Sequence, residues 1–403
     1  MRSVIKAVLA VFITIGVCII LAVALIVRPF LNAGEKVTTG SQPEVVFVED
    51  GGSWPMFRGG QQLFGRATGA LPDSMVLAWK FKTDGAVKSS PVIDDGLVFV
   101  GSNDANIYAI DLRTGHRVWD YKTGDAVEAT PCVVGSSVFV GSSDNFLYAL
   151  ETRSGSFKWK YETEGEILGA ANWTRSPDDK GIWIIVGSYD SKLYCVDSVS
   201  GEAIWTYETG SYINGSPAVG EGNVIFGGCD AMIHVVSVAD GSKVAQIDTG
   251  SYIAASAAIF EGRVYVGNYD NVFIGADIAA GEIMWRYTDA DYPFFSSPAV
   301  GDNVVVVGGR DNRLHCIGRN DGNVVWTFPT LGEVDSSPVI CGDKVVVGSE
   351  DGRLYIIRLS DGSEAWSYEI GRPVTSSPAV VGGIVVVGSD DGYVYAFVAG
   401  RSP

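Results

Sequence analysis

Short apolar runs rich in β-branched residues alternate with tight polar turns along most of the chain, and the alternation repeats. In one repeat "SSPVI" begins at Ser89, "GLVFVGS" follows a turn, and Asp104 opens the next turn. "NIYAIDL" then resumes the alternating pattern, and "RTGHRVWDY" turns at Gly115 and runs through Trp119. Four short strands in ~40 residues is the period of a propeller blade. Helical repeats of that length would need 3.6-residue periodicity and fewer glycines, whereas the chain has 50.

Two markers count the repeats. Tryptophans recur at Trp79, Trp119, Trp159, Trp205, Trp285, Trp326 and Trp366, with Ala245 in the vacant slot. A Gly-x-x-Asp tetrapeptide ends at Asp104, Asp144, Asp190, Asp230, Asp270, Asp311, Asp351 and Asp391. These aspartates suit hairpin turns, where a carboxylate bonds nearby backbone N–H groups. Each Trp is expected to lie flat between blades with its indole N–H on a backbone partner. The last repeat stops after "YVYAFVA", and the strand around Trp79 has no inner strands before it. Pairing the two ends completes an eight-bladed all-β propeller and removes its open edges.

The N-terminal pattern differs. Ala7 to Val27 is uncharged and flanked by Lys6 and Arg28, long enough for a helix crossing the ~30 Å hydrocarbon core. Residues 1–31 therefore read as an uncleaved membrane anchor, 32–53 as a flexible linker and 54–403 as the propeller. Val17 before Cys18, with apolar residues after it, argues against a lipidation site. Arg2 and Lys6 keep the N-terminus cytoplasmic, so the propeller faces the periplasm or exterior.

The net charge of −18 lies wholly beyond residue 53. Such a surface repels a phosphate backbone and excludes nucleic acid as a partner. His234 and His315 occupy the slot held elsewhere by Tyr108, Tyr148, Tyr194, Tyr355 and Tyr395, and read as packing substitutes; His116 lies in a turn. No histidines have metal-site spacing, and none is available for a Ser/His/Asp arrangement. Cys132, Cys195, Cys229, Cys316 and Cys341 are scattered and read as buried thiols. The repeat between Trp159 and Trp205 is six residues longer than its neighbours, through "NWTRSPDDKG" between Trp173 and Trp183. That projecting hairpin is a candidate contact surface. Ser-Ser-Pro runs from Ser89, Ser296, Ser336 and Ser376 place small residues on the crowded innermost strands. The funnel mouth is expected at Lys88, Glu128, Leu168, Asn214, Ala254, Phe295, Asp335 and Thr375, one residue per blade.

"AIDLRTGHRVW", "ALETRSGSFKW" and "CVDSVSGEAIW" resemble the Ala-x-Asp-x-x-Thr-Gly-x-x-x-Trp docking motif of quinoprotein-like propellers. The likeness covers about 320 residues and decays at Val235, Gly275 and Cys316. "SWPMFRGG" is similar to the opening of many bacterial propellers of this kind. The resemblance implies the fold and two possible roles. One is a quinone-dependent alcohol dehydrogenase carrying pyrroloquinoline quinone and calcium, whose ligand types would be Glu128, Asn214 and Asp335 with Lys88 beside them. The other is a BamB-type assembly propeller without a cofactor. Many of the dehydrogenases carry a disulfide between neighbouring cysteines near the quinone, which this sequence cannot form. The expectation is therefore a membrane-anchored, non-catalytic, cofactor-free scaffold similar to BamB-type propellers, binding a protein on its rims and on the loop from Arg175 to Lys180. A small-ligand or glycan sensor using the funnel is the third reading.

Overall fold

The computed structural model describes residues 52–400. Among them no helix is long and apolar enough to cross a membrane, and the predicted anchor and linker lie outside the described residues, apart from Gly52 and Ser53. Eight sheets form the ring. Blades 1 to 8 have innermost strands Val92–Asp94, Cys132–Val134, Asn172–Arg175, Ala218–Gly220, Ala258–Phe260, Ala299–Val300, Val339–Cys341 and Ala379–Val381. Each innermost strand neighbours the next, and that of blade 8 meets blade 1. Met75–Lys82 runs antiparallel to Tyr393–Ala399 as the outermost strand of blade 8, so the two ends of the chain close the ring.

Blades stack face to face, which fixes where the core lies. Inner strands such as Leu97–Ser102 are buried along their whole length. Outermost strands such as Arg117–Lys122 bury only one residue, here Trp119. In every blade the pairing of the third and outermost strands slips by one residue just before the Trp slot, as between Ala109 and Ile110. A bulge re-aims the side chain beside it. The indole thus turns toward the next blade, where Trp79, Trp119, Trp159, Trp205, Trp285 and Trp326 donate to the carbonyls of Leu112, Thr152, Ser198, Val238, Arg319 and Leu359 at 2.8–3.1 Å. Each ring lies on the turn glycine of that blade, as Trp205 does on Gly241. Trp366 differs: its ring packs edge-on against Phe397. At Ala245 the missing indole leaves Gly281 with open space where the others meet a ring. Ala245→Trp is expected to raise stability by about 0.5–2 kcal/mol, the usual gain from filling such a gap, read as a higher urea midpoint.

The Gly-x-x-Asp motif has two separate causes. A Cβ on Gly101 would come 2.4 Å from the Val127 carbonyl oxygen of the following blade, so only glycine permits that approach. The aspartate then ties three elements together. Asp104 accepts from the amide of Asn106 in its own hairpin, the amide of Asp84 in the incoming connection, and the Tyr108 hydroxyl, at 2.8–2.9 Å. Burial would raise the Asp104 pKa, but those bonds outweigh it and hold it below the usual range. Asp144, Asp190 and Asp351 repeat the pattern. Asp270 does not follow the predicted role: it is exposed, and buried Asn268 accepts the turn amides of Asp270 and Val272 instead.

His234 fills the tyrosine slot as expected. Its Nε2 lies 3.1 Å from both Asp230 carboxylate oxygens, and its ring stacks on Phe226. Burial lowers its pKa despite the opposing pull of Asp230. A depressed folded pKa favours the neutral ring, so its contribution is full above the unfolded value of ~6.5 and is lost as pH falls through the folded value. His234→Tyr is expected to remove this loss, so the Tm of the variant gains on wild type as pH drops from 7.5 to 5.

Before the first complete blade the chain forms a strap across one end of the axis. Trp54 exchanges two backbone bonds with Ile93 of blade 1. The carbonyls of Pro55, Gln61, Gln62, Phe64 and Gly65 then accept the amides of Val133, Val219, Ile259, Val300 and Ile340 at 2.7–3.0 Å. Gln61 also bonds Asn172 and Trp173 of blade 3. The strap ends with Arg66–Ala67 as a parallel fifth strand on blade 7. It contacts the far ends of the innermost strands, on the face opposite the predicted mouth. Trp54, Met56 and Leu63 are buried beneath it.

Candidate functional site

The mouth is built from two sets of residues that the repeat places on one face: those just before each innermost strand, and those just before each repeat aspartate. On blades 8, 1 and 2 the set is charged. Lys88 Nζ pairs with Glu128 at 3.1 Å, and Asn103 donates to the same carboxylate at 2.8 Å. Thr375 donates to Asp390, whose pKa is raised by burial. On blades 6 and 7 Arg310 grips Asp335 through Nε and Nη2 at 3.0 and 2.6 Å and reaches Glu333 at 3.2 Å. Its guanidinium lies 3.5 Å over the Phe295 ring. Burial, then the charges of Asp335 and Glu333, raise Glu350.

The members of the sequence-derived trio have different partners. Asp335 shares a carboxylate cluster with Glu333 and Glu350, and Glu128 is not in it. Asn214 accepts from the Tyr189 hydroxyl at 3.0 Å and donates to Ala254 O at 3.4 Å. Glu128, Asn214 and Asp335 each bond at least one protein neighbour.

Of the aromatic half of the mouth the sequence reading singles out Phe295 and not Tyr189, Tyr212, Tyr252 or Tyr269. Across blades 3 to 6 an aromatic arc runs from Tyr189, stacked on Tyr212 at 5.3 Å, to Tyr252, Tyr269 and Phe295, with Tyr269 edge-on to Phe295 at 4.8 Å. Tyr212 and Tyr252 are 55% and 58% exposed. The signal was present: "GSYI" occurs twice, ending at Ile213 and Ile253, where blades 1 and 2 carry "GAV" and "DAV".

The extended loop projects on the strap face, not the mouth. Ser176 organises it, accepting the amides of Lys180 and Gly181 at its hydroxyl, while Arg175 pairs with Asp179 and Lys180 with Asp178. All five described cysteines are free. Burial pushes Cys132 and Cys316 up to about 12 and Cys341 up to about 11, so they offer no thiolate at neutral pH.

An eight-bladed ring with interblade tryptophan docking defines a quinoprotein-like propeller. The chain belongs to the family whose model is described as outer membrane protein assembly factor BamB, which matches residues 64–176, 168–251 and 229–402. Among solved structures it is similar to BamB from Moraxella catarrhalis, at 19% identity and TM-score 0.68, over 81% of this chain and 100% of that one. It is likewise similar to quinohemoprotein alcohol dehydrogenase from Comamonas testosteroni, at 16% identity and TM-score 0.71, over 87% of this chain and 81% of that one. The computationally designed Ika8 protein matches at 18% identity and TM-score 0.69, over 79% of this chain and 99% of that one. At these identities the likeness establishes the fold. No curated sequence matches.

Proposed function

We propose that this chain is a non-catalytic binding propeller of the cell envelope, tethered by residues 7–27, that presents the aromatic half of its mouth to a protein partner. The exposed tyrosine arc carries the reading. Tyrosines supply large contact area at small entropic cost and a hydroxyl for the wet rim, which suits a recognition surface. The polar half of the mouth supports it from the other side, because Lys88, Glu128, Asn214, Arg310 and Asp335 are each already bonded to a protein neighbour. A calcium–quinone centre fits these residues poorly: Glu128 is ion-paired with Lys88 and Asp335 with Arg310, so the carboxylates that would hold calcium are already neutralised.

A photo-crosslinking residue placed at Tyr212 or Tyr252 of the full chain in its membrane tests this. A discrete higher-mass adduct is expected from both positions and none from Ser136 on the opposite face. Equal labelling from the two faces, or none at the tyrosines, contradicts it.

A further inference from the structure

We propose that the furrow between the outer parts of blades 1 and 2 binds an acidic sugar, a hexuronic acid unit of a glycan. The furrow opens as a cavity of about 470 Å³. Tyr121 and Lys122, on the outermost strand of blade 1, line one side, and Phe146, Phe157 and Lys160 of blade 2 line the other. It lies away from the tyrosine arc of blades 3 to 6. The Tyr121 and Phe157 rings are nearly parallel, at 14° with centroids 6.3 Å apart, and Phe157 is 50% exposed. Tyr148 sits against both Tyr121 and Phe146, at 5.8 and 6.1 Å.

The repeat shows that the blade does not need these two rings. Phe146 stands two residues after the repeat aspartate, where blades 1, 3 and 7 carry Asn106, Lys192 and Arg353. Phe157 stands two residues before the docking Trp, where the same blades carry Arg117, Ala203 and Glu364. The lining is also cationic, on a chain of net charge −18. Lys160 Nζ lies 3.5 Å from the Phe146 ring centroid, and among the described residues it has no hydrogen bond or ion pair. Lys122 donates only to the backbone carbonyl of Asp104. The one carboxylate on the lining, Asp144, is already used by the fold. It accepts from the amides of Gly124 and Phe146 and from the Tyr148 hydroxyl at 2.6–3.1 Å.

Charge and shape together select the ligand class. An ammonium offers three donors and no acceptor, so Lys160 with Lys122 beside it suits a ligand carboxylate. An aromatic face is the negative side of its quadrupole. It attracts the positively polarised C–H groups on the flat face of a pyranose ring, while the sugar hydroxyls stay in the wet rim. A phenyl or leucine anchor from a peptide would instead need an enclosed apolar pocket, and the Phe157 wall is half in solvent. The volume falls within the ~300–1,000 Å³ range of small-ligand sites.

Calorimetric titration of the full chain in detergent with trigalacturonic acid tests the site, with maltotriose as the neutral counterpart. Saturable one-site binding is expected for the acid, and binding about tenfold weaker for maltotriose. Phe157→Ala and Lys160→Gln are each expected to weaken the acid about 3–10-fold. Both side chains are exposed, so the urea midpoint is expected to stay unchanged in either variant. Saturation-transfer NMR on the unaltered chain gives a readout free of variants, with the strongest transfer expected at the sugar ring C–H protons. No saturable binding of the acid, an affinity that both variants leave unchanged, or equal affinity for maltotriose overturns the proposal. Tighter binding of the peptide acetyl-Glu-Phe-Glu-amide overturns it in favour of a protein ligand.

Discussion

Trp205→Ala is expected to lower stability by about 3–5 kcal/mol, the range for truncating a large buried aromatic. The indole is 9% exposed, donates to Val238 O at 2.9 Å, and covers Gly241 of the next blade. Around it lie Ile185, Leu193 and Cys195 of its own blade and Phe226, Val236 and Val238 of the next. Truncation opens a void between two sheets that cannot close independently, because each is also fixed to its other neighbour by the ring. The urea midpoint of the full chain measures the loss. A change below about 1 kcal/mol would mean the blades repack freely, contrary to dense interior packing. The neighbouring Ala245 site provides a reference, since there the ring already lacks an indole.

Gly65→Val is expected to be comparably damaging, at about 3–5 kcal/mol. Gly65 has φ +60, which costs an L-residue ~1–2 kcal/mol and a β-branched one more. Its new Cβ would overlap Arg58 Nη2, and the guanidinium would have to leave its two carbonyl partners, each bond to a charged group being worth ~1.5–3 kcal/mol. Gly69→Val separates the two effects. Gly69 has φ +89 but nothing within 4 Å of its Cβ, so only the backbone penalty is expected there. Equal losses at both positions would show that Arg58 contributes nothing to holding the strap.

What the sequence disclosed follows from repetition. Eight aspartate-marked turns and seven tryptophans could be counted because each blade solves the same packing problem with the same residue types. The closing strand at Trp79 was legible from an unfinished last repeat, and His234 from its place in a tyrosine slot. The strap was not legible, because it binds the ring through its own carbonyls, which every residue possesses and no side chain reveals. Its one distinctive residue, Arg58, lies within "SWPMFRGG", and nothing in that segment marks the side chain as buried. Asp270 misled for a related reason: its motif was intact, but Asn268 two residues earlier accepts the same amides. At the mouth, residue type suggested metal ligands, while the pairing that occupies them depends on residues distant in the chain, such as Arg310 for Asp335 and Lys88 for Glu128.

Titration of the purified full chain with pyrroloquinoline quinone and calcium, followed by dye-linked oxidation across a panel of alcohols, tests the non-catalytic reading most directly. No saturable quinone binding and no alcohol-dependent dye reduction are expected. Stoichiometric binding with turnover, abolished by Asp335→Asn or Glu128→Gln, would contradict it.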